Sequence, residues 1–219
     1  MSKPAICAVL FDFDGTLADS FAAIAASTNA VRGHFSLPPL EESFVRRFVG
    51  YGLPHLMAEL VPGADPADAV RLYREHHASV AVPLTRLMPG VSETLPELIR
   101  RGFTLAVCSN KAVHFTRQLV DALGYGSVMR EVLGPEDVAG KAKPDPAMLV
   151  ECLNRLGLAK HEAVYIGDMS IDVKTAKAAG VECWLVPGGA AGQESAEAAG
   201  PDRVLGHFTE MLDLLPTRA

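Results

Sequence analysis

Asp12-Phe13-Asp14-Gly15-Thr16-Leu17 follows directly on the apolar run Ala5-Ile6-Cys7-Ala8-Val9-Leu10-Phe11. A run apolar on both faces and ended by Asp and Gly predicts a buried parallel strand. Side chains alternate along a strand, so Asp12 and Asp14 leave on one side with Cα atoms roughly 6.6 Å apart, while Phe13 turns to the other face. Two carboxylates this close repel. A site that keeps both holds a divalent cation or raises one pKa so that the group can handle a proton. The alternative for the hexapeptide alone is an Asp-rich turn with a helix cap.

The remaining chain divides by pattern. Helical periodicity over 21–32, with Ser20 as its cap, and over 41–48, 53–60 and 66–80 is interrupted by Pro38-Pro39 and Pro62-Gly63, with no strand candidate between. From Met88-Pro89-Gly90 onward, helices over 92–101, 112–123, 146–156, 171–179 and 208–215 alternate with apolar strands over 103–108, 128–133, 163–166 and 183–186. The expected architecture is α/β: a Rossmann-like parallel sheet core formed by 1–16 and 89–219, with an all-helical cap domain, 17–88, inserted after the first strand. The Gly-rich stretch 188–192 reads as a flexible loop.

Ligands of open parallel sheets collect where strands end. Here those ends are polar. Ser109, Asn110 and Lys111 follow the strand at 103–108 and lead into a helix whose free N–H groups suit an anion, although Ser and Asn are equally good caps. Pro at the first turn and Asp145 at the cap account for the helix start in Lys141-Ala142-Lys143-Pro144-Asp145-Pro146, but not for its lysines, which by default are solvated. Gly167-Asp168-Met169-Ser170-Ile171-Asp172 places two carboxylates on one side of a first helical turn, where the helix dipole alone would explain one.

Composition sets limits. A net charge of −6 without any basic run argues against nucleic acid or an anionic membrane as partner. No apolar stretch approaches the roughly 20 residues that span a bilayer, so the expected location is cytoplasmic. Cys7, Cys108, Cys152 and Cys183 show no paired spacing and are expected as free thiols, mostly buried. The seven histidines show no ligand spacing tied to the motifs.

In order and placement, Asp12-Phe13-Asp14-Gly15-Thr16, Ser109-Asn110, Lys143 and Gly167-Asp168-Met169-Ser170-Ile171-Asp172 resemble the four motifs of the haloacid dehalogenase-like superfamily of hydrolases. Val49-Gly50-Tyr51-Gly52 and the stretch 172–180 are similar to its phosphoglycolate phosphatase branch. The resemblance implies a magnesium-dependent phosphatase acting on a small phosphorylated metabolite. In that case Mg²⁺ is held by Asp12, the backbone carbonyl of Asp14, and Asp168, with Asp172 orienting water on the ion. Asp12 is the implied nucleophile, forming an aspartyl phosphate, and Asp14 the proton shuttle. Ser109, the Asn110 N–H and Lys143 hold the phosphoryl oxygens, Lys143 being preferred to Lys141 because Pro144 follows it.

A dehalogenase of this build lacks the second Asp, and a phosphonoacetaldehyde hydrolase needs a cap lysine, whereas 17–88 contains none. Val49 and Leu53 around the cap glycine lack the charges of a sugar phosphomutase. The branch points to 2-phosphoglycolate, with nucleoside monophosphates or other small sugar phosphates as the alternative. Arg46 and Arg47 are candidates for a substrate carboxylate. A phosphoacceptor receiver domain, or a non-catalytic binding relative, is the reading from another class. The roughly 70-residue helical insert opposes the first, and the full set of reactive positions opposes the second. Oligomeric state is not legible.

Overall fold

In this computed structural model, residues 6–187 and 198–217 are described, so the stretch 188–192 lies outside them. The first strand, β1 (Ala8–Phe11), is followed by a two-residue strand β2 (Ala18–Asp19) and four helices: α1 (Phe21–His34), α2 (Glu42–Arg46), α3 (Leu53–Leu60) and α4 (Pro66–Val80). Then come β3 (Arg86–Leu87), α5 (Val91–Arg100), β4 (Thr104–Cys108), α6 (Val113–Ala122), β5 (Met129–Leu133), α7 (Ala147–Leu156), β6 (Ala163–Gly167), α8 (Ser170–Ala179), β7 (Glu182–Leu185) and β8 (Arg203–Val204). A 3-10 turn, Phe208–Glu210, and a short helix, Met211–Leu214, close the described chain.

All pairings in the main sheet, ordered β5-β4-β1-β6-β7-β8, are parallel. β1 sits at its centre with every residue inaccessible to solvent, as a strand covered on both faces must be. Alternation sends Val9 and Phe11 into a cluster with Leu95, Leu98, Phe208 and Met211, and sends Ala8 and Leu10 into a second cluster with Met148, Leu149 and Val173. Truncating Leu10 to Ala would open a void there at a cost of about 2–5 kcal/mol.

Register matters more to function than burial does. Phe11 pairs with Val107 on β4 and with Ile166 on β6, so the three strands end level and their polar exits face one another. Helices α1 to α4 share a third apolar cluster, including Phe21, Ile24, Val45, Leu56, Leu60 and Tyr73, separate from those flanking the sheet.

Several details differ from expectation. Helix α2 spans only Glu42–Arg46. The insert contains strands after all: β2 and β3 pair antiparallel where the chain enters and leaves the helical segment. β8 also joins the sheet edge. Two-residue strands are too short to show an alternating pattern. Ser20 precedes α1 but makes no side-chain cap; its hydroxyl donates to Asp14 Oδ1 instead. All four cysteines are free, three of them buried. No helix of the described residues is long and apolar enough to cross a membrane.

Candidate active site

Level strand ends bring Asp12, Asp168 and Asp172 together: one oxygen of each lies within 4.8 Å of the others, and all three residues are buried. Asp168 leaves the end of β6. Asp172 turns back from the first turn of α8 and accepts from the N–H groups of Asp168 (3.2 Å) and Met169 (3.0 Å), satisfying donors a helix start otherwise leaves free. Lys143 faces this cluster with all three N–H donors engaged: Asp172 Oδ1 at 2.7 Å, Asp12 Oδ2 at 2.9 Å and the Tyr165 hydroxyl at 3.2 Å. Tyr165 in turn donates to the Cys108 carbonyl at 2.8 Å. Lys141 is exposed and plays no part in the cluster.

Three carboxylates meet one ammonium here, a deficit of two positive charges. Burial, and after it the charges of Asp172 and Asp12, push the Asp168 pKa well above the usual carboxylate range. Asp172 is raised as well, chiefly by burial and against the pull of Lys143. Burial works against the Lys143 ammonium, yet Asp12 and Asp172 outweigh it and hold its pKa above normal. Two oxygens at the centre, Asp12 Oδ1 and Asp168 Oδ2, are buried without a hydrogen-bond partner. Such atoms are costly unless something positive meets them. Asp168 is aimed by Thr16, whose hydroxyl donates to Oδ1 at 2.9 Å, leaving Oδ2 to face the gap. Gly15, at φ +85°, keeps that gap clear, since a Cβ there would lie 2.5 Å from Asp168 Oδ2. An all-oxygen, doubly negative, sterically protected set fits a hard divalent cation.

Asp14 points elsewhere. Its carboxylate accepts from Ser20 and pairs with Lys111 Nζ at 3.1 Å. Asp12, Asp14, Ser109, Asn110 and Lys111 line one cavity of about 50 Å³, closed from the helical side by Val49, Gly50, Tyr73 and His77. The Asn110 side chain is a strut rather than a pocket group: it donates to the Gly50 carbonyl (2.9 Å) and the Lys143 carbonyl (3.2 Å) and accepts from the Lys143 N–H (2.7 Å). Its amide thus ties the helical segment to the lysine loop. The two cap arginines lie away from these walls. The Arg46 guanidinium sits 4.0 Å over the Phe21 ring and that of Arg47 5.5 Å over Phe44, and neither lines the cavity.

Sequence reasoning gave Lys111, Ser20, Thr16 and Tyr165 no individual part in the site's chemistry, Ser20 being expected as a helix cap. Only Tyr165 carried a usable signal, because a hydroxyl in a fully buried strand must find a polar partner.

The defining pattern of haloacid dehalogenase-like hydrolases matches residues 9–186. Over 215 residues the chain is 34% identical to "Phosphoglycolate phosphatase, plasmid" of Cupriavidus necator, covering 95% of this chain and 91% of that one. It is also similar to an N-acetylmuramic acid 6-phosphate phosphatase of Pseudomonas aeruginosa, at 31% identity over 224 residues, covering 98% and 97%. Among solved structures, CbbY from Rhodobacter sphaeroides in complex with phosphate superimposes with a TM-score of 0.82 at 26% identity, covering 96% of this chain and 99% of that one.

Proposed function

This chain belongs to the haloacid dehalogenase-like hydrolases, and from that premise we propose that it is a magnesium-dependent phosphatase that hydrolyses 2-phosphoglycolate. The observation that carries the proposal is the pair of unpartnered buried oxygens, Asp12 Oδ1 and Asp168 Oδ2, inside a cluster two positive charges short and beside Ser109 and Asn110. Asp12, Asp168 and the backbone carbonyl of Asp14 would hold Mg²⁺, with Asp172 behind them; the ion supplies the positive charge that lets an anionic nucleophile approach an anionic ester.

The chain's own groups do the rest. Ser109 and the Asn110 N–H at the polar exit orient the phosphoryl oxygens, while Lys143, its donors on Asp12, Asp172 and Tyr165, holds the carboxylates in place and adds positive charge behind them. The Asp12 carboxylate attacks phosphorus, the bond to the leaving oxygen breaks, and Asp14 gives that oxygen its proton. Asp14 then takes a proton from the water that attacks phosphorus, releasing phosphate and regenerating Asp12. Ser20 and Lys111 both contact the Asp14 carboxylate and fix its position on the cavity wall. In this reading 17–88 acts as a cap over the core formed by 1–16 and 89–219, keeping bulk water from the acyl phosphate, and the enzyme works in the cytoplasm.

The substrate follows from the relatives and from space. The cavity is small and its helical side is closed by Val49, Gly50, Tyr73 and His77. A compact leaving group such as glycolate suits that wall, and phosphoglycolate phosphatases are among the relatives. The alternative, a small sugar phosphate, draws on the N-acetylmuramic acid 6-phosphate phosphatase relative. A phosphate-release screen over small phosphoesters, with magnesium and with chelator, tests both. The expected result is magnesium-dependent release with 2-phosphoglycolate highest in kcat/KM. A sugar phosphate higher by about 100-fold, near 2.7 kcal/mol of transition-state binding, would replace the substrate, and no release from any ester would remove the phosphatase.

A further inference from the structure

We propose that Lys111 is the specificity-determining residue of this site, receiving the carboxylate of the leaving group while Asp14 serves the ester oxygen beside it. This rests on the phosphatase reading above and adds to it the group that selects an acid. Among the described residues lining the cavity, Lys111 is the one lysine or arginine. Its side chain is 7% exposed, so the ammonium is largely withdrawn from water and a bound carboxylate would meet little competition. Both of its contacts, at 3.1 and 3.4 Å, go to the single carboxylate of Asp14. A lysine has three donors, which leaves capacity for a second anion.

Reach agrees with chemistry. Asp14 must touch the leaving oxygen to protonate it, and Lys111 Nζ is 3.1 Å from Asp14 Oδ1. A carboxylate one carbon from the ester oxygen therefore falls beside the ammonium, whereas a more distant one overshoots it.

The facing wall supports the assignment. The Ser27 hydroxyl donates to the Ala23 carbonyl (2.9 Å) and lies 3.0 Å from His77 Nδ1 and 3.3 Å from His76 Nδ1. His77 Nε2 is buried and unpartnered. Burial, then the charge of Lys111, keeps the ring neutral. Among the described residues that wall offers a bound carboxylate no second lysine or arginine.

The test compares 2-phosphoglycolate with ethyl phosphate, of similar size but without the acid, in wild type, Lys111→Met and Lys111→Arg. Removing Lys111 also disturbs Asp14 and slows both esters, so the ratio of their kcat/KM values is the readout. In wild type the ratio favours phosphoglycolate. In Lys111→Met it falls by about 30-fold, the worth of one charge-assisted hydrogen bond, mainly through KM, and Lys111→Arg restores most of it. An unchanged ratio in Lys111→Met overturns the assignment. So does a wild-type ratio near one, which needs no folded variant and leaves the phosphatase reading standing. Hydrolysis of neither ester by wild type overturns both.

Discussion

Two aspartate–lysine pairs stand within a few residues of each other at the strand exits, and their surroundings differ. Asp12–Lys143 is sealed, with side chains 4% and 1% exposed, and the lysine has spent every donor on Asp12, Asp172 and Tyr165. Asp14–Lys111 lines the cavity at 11% and 7%, and both members keep unused capacity. A sealed pair fixes geometry, because breaking it strands a buried charge. A pair on a cavity wall can exchange partners as a substrate arrives. On the proposed function this gives a division of labour: the sealed side serves what is constant in every phosphate ester, and the cavity side meets what varies.

The contrast can be broken by stability measurements. Lys143→Met leaves Asp12 and Asp172 without their cation and should cost about 3–5 kcal/mol in urea unfolding, whereas Lys111→Met strands one carboxylate rather than two, and that one keeps its hydrogen bond from Ser20, so it should cost about half as much. Equal losses would erase the distinction. Next in size is the pH response of the cavity wall. Burial, with help from Lys111, His76 and His114, holds His77 at a pKa of about 3, below the ordinary value of 6.5. Its lowered value means the unfolded chain binds the proton first, so its contribution is intact above about pH 6.5 and is lost as pH falls toward 3. Between pH 7 and pH 5 it should remove roughly 2 kcal/mol from the wild type. His77→Gln should flatten that segment of the stability profile, and an identical profile in the variant would show that the ring titrates freely.

The smallest expected effect sharpens the sealed side. Asp168→Asn removes one charge from the crowded trio while its amide oxygen still accepts from Thr16. Metal-free, it should be more stable than wild type by about 1 kcal/mol, since less like charge is confined. Its melting temperature should gain less from added magnesium. A variant that is destabilised without metal and gains as much from magnesium would place the ion elsewhere.

The sealed side was legible because strand ends announce themselves: apolar runs stop at Asp12, Ser109 and Asp168, and parallel pairing levels them. Lys143 could be chosen over Lys141 through Pro144 following it. The cavity side was not. Tyr73 and His77 belong to an amphipathic helix whose buried face looks the same whether it covers a core or a ligand, and packing alone turns it toward Lys111. Arg46 and Arg47 were the natural cations to nominate for a carboxylate, yet aromatic neighbours, Phe21 and Phe44, hold them off the cavity. Ser20 looked like a cap because caps and acid-orienting hydroxyls share one residue type. Strands β2, β3 and β8 were too short to carry a period.

The central claim is that Asp12 takes the phosphoryl group and Asp14 moves the protons. Asp14→Asn should slow breakdown of the acyl phosphate enough to trap it, since no group remains to activate the attacking water. Acid-quenching that variant with magnesium and acetyl phosphate, whose leaving carboxylate departs without a proton, followed by borohydride reduction and peptide mass mapping, locates any phosphorylated carboxyl as homoserine. The account predicts homoserine at position 12 and nowhere else. Homoserine at another aspartate, or none while phosphate is still released, would contradict it.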